Sequence, residues 1–145
     1  MSARATGREA RGAQRHYKVF PPPAGGPGNV ARVGYRIEYS VTGSVLMATI
    51  SGSCPTPSFV TREISRQVRE NSASYLLVDV RGLRDRADRL REVLASRSIP
   101  SRVAVVDSPA NDRLYLFAEV DARARGCTLR RFDNQVAALA WLQTG

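Results

Sequence analysis

The sequence predicts one α/β domain on a single mixed, mostly parallel sheet, an N-terminal β-hairpin leading into βα units. Three observations carry this. "VGYRIEYSV" alternates over Tyr35, Ile37, Tyr39 and Val41, and "TGS" separates it from a second apolar run, "VLMATISG". Period-2 runs joined by a short Gly-containing link make an antiparallel hairpin. After the hairpin, stretches with helical spacing alternate with short apolar runs, which requires right-handed crossovers between parallel strands. The chain has 145 residues, of which 43% are hydrophobic and 24% charged, enough for one globular domain.

Each element has its own signature. In "CPTPSFVTREISRQVRENS", Thr56 suits a helix N-cap and Pro57 the first helical position. Val60, Ile64 and Val68 form its core stripe, while Arg62, Arg66 and Arg69 read as a solvated face. "YLLVDV" is a buried strand and "RDRADRLREVLAS" a helix with Leu90, Val93 and Leu94 inward. "RVAVVD" is the next strand. "NDRLYLFAEVDARARG" predicts a helix with Leu114, Phe117, Val120 and Ala124 on its core side and Gly126 as its stop. "CTLRRF" is the last strand, and "DNQVAALAWLQ" the last helix, capped by Asp133 or Asn134.

Residues 1–31 read as a basic, Pro/Gly-rich flexible tail, and 32–145 as the domain. Within the tail, "GPGNVA" (Gly26 to Ala31) matches a dinucleotide-binding glycine pattern. That pattern works only between a strand and a helix start, and prolines precede it here, so it is a decoy. The formal charge is +9, and of the 22 basic residues all but Lys18 are arginine. The basic residues are spread along the chain, so solvated surface arginine is a better reading than a nucleic-acid footprint. Binding to nucleic acid or an anionic membrane is left to the Arg-rich tail. No apolar run reaches membrane-spanning length and no secretory leader is evident. The expected location is cytoplasmic. Cys54 and Cys127 suit free thiols in a reducing compartment, with a single bridge between them left open.

The order of elements and three stretches resemble the STAS superfamily, in its bacterial SpoIIAA-like branch. They are "LLVDVRGL", "RVAVVD" and "FAEVDARARGCTLRRFDNQVAALAWL", and the likeness covers about residues 33–145. It implies a sheet wound in sequence order and a regulatory or binding module without catalysis or cofactor. Its partner would be a protein or a small, lipid-like or anionic ligand, and a homodimer is compatible with it. Antagonists of anti-sigma factors in this superfamily carry a phosphorylatable Ser after the Asp-ended strand. Between Val80 and Ala95 this chain has neither Ser nor Thr, and Arg86 stands where the hydroxyl belongs.

Asp79 ends a strand, as the phosphorylated Asp of a receiver domain does. Receiver chemistry needs further carboxylates for Mg²⁺ and a lysine, and residues 32–145 contain no lysine. The only histidine, His16, lies in the tail, so neither a Ser-His-Asp triad nor a His-based metal site is available to the domain. Cys54, near a predicted helix start, lacks a histidine to activate it and reads as a buried thiol. Asp79 with Asp107 could form a carboxylate pair. Asp residues at strand ends more often accept backbone N–H groups of the following turn. Ligands of open α/β sheets gather at the carboxyl ends of strands. The candidate rim residues are therefore Ser53, Asp79, Arg81, Asp107, Ser108 and Asn111, with Tyr115 as an exposed contact.

Overall fold

A computed structural model describes residues 35–53, 57–84 and 100–144, together with the backbone of 15–20; for 57–59 it likewise describes backbone alone. Cys54, the Thr56 cap, the "GPGNVA" pattern and the helix expected around Leu90, Val93 and Leu94 lie outside the described residues.

Six strands form one sheet in sequence order: β1 (Arg15–Phe20), β2 (Tyr35–Thr42), β3 (Val45–Gly52), β4 (Tyr75–Leu83), β5 (Arg102–Val106) and β6 (Thr128–Phe132). β1–β2 and β2–β3 are antiparallel; the other pairs are parallel. The helices described are α1 (Pro57–Glu70), α2 (Asp112–Ala124) and α3 (Gln135–Gln143). This is the α/β class the sequence predicts, with one correction. Arg15–Phe20, read as part of a tail, pairs along β2 as an edge strand. Edge strands tolerate the charges and neighbouring prolines that hide this one in the sequence.

The hairpin closes through Gly43 and Ser44, with Thr42 opposite Val45. Gly43 has φ +60°, the positive φ that a type II′ turn needs at its first loop position. Tyr35, Ile37, Tyr39 and Val41 are all buried, so the predicted alternation holds. β4 and β5 are buried on both faces, which explains their unbroken apolar runs.

The front core joins Ile37, Leu46, Val78 and Val105 to Val60, Ile64 and Val68 of α1 and Tyr115 and Ala122 of α2. Consecutive strand order with right-handed crossovers puts α1 and α2 on one face. α3 covers the other, where Ala138 and Leu142 meet Val45, Leu77, Ala104 and Val106. Arg102 fastens its far end. The guanidinium lies 4.2 Å from the Trp141 ring centroid and donates to the Trp141 carbonyl at 2.9 Å. A cation there complements the helix dipole as well as the ring.

α2 is turned relative to the expectation. Leu114, Phe117, Val120 and Ala124 face solvent, Phe117 at 81% exposure, and Tyr115, predicted as an exposed contact, is 2% exposed. The reason is polar. Tyr115 donates to the Asp107 carboxylate at 2.6 Å, and Asp107 is wholly buried. Turning Tyr115 outward would leave the buried Asp107 carboxylate a donor short, at about 1–3 kcal/mol. With Tyr115 inward, its ring also packs in the front core. α2 ends as predicted, with Gly126 at φ +82° and Cys127 N–H bonded to the Ala122 carbonyl.

Candidate functional site

The strand ends that the sequence marks as a rim divide into two clusters on opposite faces. Asp79 is aligned with Val106, whose side chain is in the back core, so it shares that face. Asp107, one residue further along its own strand, reaches Tyr115 on the front. The two carboxylates do not form a pair. Each instead accepts a backbone N–H near in sequence: Asp107 from Ser108 in the turn that follows at 2.7 Å, and Asp79, which lies inside β4 and not at its end as expected, from Arg81 of the same strand at 3.1 Å.

A β-bulge builds the Asp79 cluster. Thr49 pairs with Asp79 and Ser51 with Gly82, so Ile50 faces two β4 residues, Val80 and Arg81. The extra residue shifts the alternation, and Val80 and Leu83 both enter the front core although three positions apart. It also turns Arg81 back on Asp79. Arg81 Nε donates to Oδ1 at 3.0 Å and Nη2 to Oδ2 at 2.7 Å, a bidentate pair. Gln135, the first residue of α3, adds a fourth donor at 2.9 Å. A Cβ on Gly82 would stand 2.8 Å from Ser51 Cβ, so close strand contact here requires glycine.

Burial by itself would raise the Asp79 carboxyl. The Arg81 side chain and backbone N–H, with Gln135, outweigh that and hold it below the ordinary carboxylate value. Asp79 is 3% exposed, while Arg81 remains half-exposed at the rim.

The front cluster gathers four of the predicted residues. Asp107 accepts from Asn111 Nδ2 at 3.2 Å as well as from Tyr115, and Ser108 Oγ accepts from Ala110 N–H at 3.2 Å, capping the short 3-10 turn Pro109–Asn111. Arg131 bridges three neighbours. It donates to the Asp107 carbonyl at 2.8 Å and pairs with Asp112 and Asp133. Ser53 is half-buried beyond the end of β3 and belongs to neither cluster's hydrogen bonds. Asn134, not Asp133, caps α3, accepting from Ala137 N–H at 2.8 Å.

Sequence reasoning missed Gln135 and Arg131, and a third cluster under α1. Buried Glu63 holds Arg66 through two bonds of 2.8 and 2.9 Å, and Arg66 reaches Glu70 at 3.0 Å. Burial and then the Glu63 charge push the Tyr39 phenol far above its ordinary value. A Glu-x-x-Arg spacing one turn apart was the available signal. Burial pushes the Cys127 thiol up, which keeps it protonated and inert. Among the described residues no group of three His, Cys, Asp or Glu could hold a metal, and no helix is long and apolar enough to cross a membrane. No protein-family model matches the chain, and no curated protein matches it either.

Proposed function

We propose that the protein is a non-enzymatic regulatory or binding module of the STAS, SpoIIAA-like type, cytoplasmic, and acting by stoichiometric contact with a protein partner or a small apolar or anionic ligand. One observation carries this reading. Asp79 and Asp107 diverge to opposite faces, and each is engaged by several donors of its own chain. Such carboxylates make poor general bases, because proton uptake would break the bonds that hold the rim. What the rim presents outward is the half-exposed Arg81 guanidinium, fixed in direction by Asp79. The missing Ser and Thr between Val80 and Ala95 support a module whose contacts are not switched by phosphorylation in that segment.

Native mass spectrometry of the protein as purified from cells tests this. A co-purifying protein or small-molecule mass, weakened in Arg81→Gln, supports the reading. Substrate turnover that disappears in Asp79→Asn would overturn it.

A second reading rests on Arg4, Arg8 and Arg11 against the lone Glu9 in residues 1–14, as an electrostatic anchor to nucleic acid or anionic lipid. Because Arg15–Phe20 forms a strand, the truncation that tests it stops at residue 14. Salt-insensitive binding to DNA and anionic vesicles, unchanged by that truncation, would end the idea.

A further inference from the structure

The outward face of α2 carries Leu114, Leu116, Phe117 and Val120 at 39%, 64%, 81% and 61% exposure. A helix that spends its apolar residues on water marks an interaction surface. The sequence on either side of Phe117 is nearly self-complementary. Three residues away stand Leu114 and Val120; four away stand Arg113 and Asp121, both exposed and opposite in charge.

We propose that α2 is a self-association helix, with two copies of this chain pairing antiparallel about a two-fold axis at Phe117. In that arrangement the two Phe117 rings meet at the centre and Leu114 and Val120 of both copies flank them. Four residues span about 6 Å of helix. Arg113 then lies one turn from the axis, diagonally across from Asp121 of the second copy, within reach of its long side chain, and the contact occurs twice. A two-fold interface requires one patch to be complementary to itself, which this pattern satisfies. An anionic membrane would instead favour cationic flanks throughout, and Asp121 sits within the face. A foreign partner would not require the mirrored charges.

A single helix face buries less than the ~1,200 Å² of a stable interface, so the dimer is weak, with Kd on the order of 1–100 μM. Sedimentation equilibrium of the full chain from about 1 to 200 μM, spanning that range, is the experiment. Wild type is expected to dimerise, and Phe117→Asp to weaken dimerisation at least ~10-fold, since it puts two charges at the centre. Arg113→Asp and Asp121→Arg change net charge in opposite directions, yet each should weaken the dimer about 3- to 10-fold, and the double variant should recover to within about 2-fold. Circular dichroism confirms that the variants fold, which the exposure of these side chains favours. The proposal is overturned by a wild type that stays monomeric, by a dimer that Phe117→Asp leaves intact, or by a double reversal no better than the singles.

Discussion

Asp79 and Tyr115 show how single side chains decide this structure. Asp79 holds Arg81 and Gln135, and its carboxyl sits below the ordinary value. A depressed folded-state pKa stabilises the protein above the unfolded value of about 3.9 and loses that contribution as pH falls through the folded value. Wild type should therefore lose more stability than Asp79→Asn between pH 5 and pH 2. At pH 7 the variant should be weaker by about 2–3 kcal/mol, because an amide cannot accept all four donors. Denaturant titrations at several pH values would show this, and parallel pH profiles for the two proteins would refute the assignment. Tyr115 offers a sharper contrast with its neighbour Phe117. Tyr115→Phe removes one hydroxyl and should cost about 1–3 kcal/mol by leaving Asp107 a donor short. Phe117→Ala removes a whole ring from an exposed site and should stay within about 0.5 kcal/mol in dilute, monomeric solution. Equal losses in thermal or urea unfolding would mean that the rotation of α2 has been misread.

Among the elements, those read correctly from sequence were those whose own pattern has one solution. The β2 alternation admits only one buried face, and Gly126 and Asn134 end and begin helices by local hydrogen bonds. α2 has apolar residues around most of its circumference, so periodicity could not select the inward side. The selection came from Asp107, eight residues from Tyr115 in the chain and across a turn. Gln135 meets Asp79 across 56 positions, a pairing that no local rule supplies. The bulge in β4 was equally hidden, although the glycine after Arg81 belongs to it. Gly82→Ala should cost about 1–3 kcal/mol by pressing a methyl against Ser51. Ser51→Gly in the same chain removes the nearer of the two crowded atoms and should return part of that loss. Additive losses in the double variant, measured by chemical denaturation, would show that the strands do not meet there as described.

For the whole molecule, the sheet grows outward from β4 and β5 to two edges, β1 and β6. The β1 edge was invisible in the sequence because "RHYKVF" stands between an Arg-rich segment and three prolines, and charged residues such as Arg15 and Lys18 are how edge strands avoid pairing with other chains. Its presence changes what the N-terminal residues do for the domain. β2 contributes Tyr35, Ile37 and Tyr39 to the front core, and without β1 its outer backbone N–H and C=O groups would face water along the whole strand. Removal of residues 1–14 spares β1 and should leave the melting temperature within about 2 °C of the full chain. Removal of residues 1–31 takes the strand away, lowers the melting temperature by at least ~5 °C and exposes an edge that can recruit other chains. Thermal melts with light scattering distinguish the two truncations. Identical melts and no rise in scattering would mean that β1 adds nothing to the sheet, and that the whole segment before Arg32 acts as the tail its composition suggests.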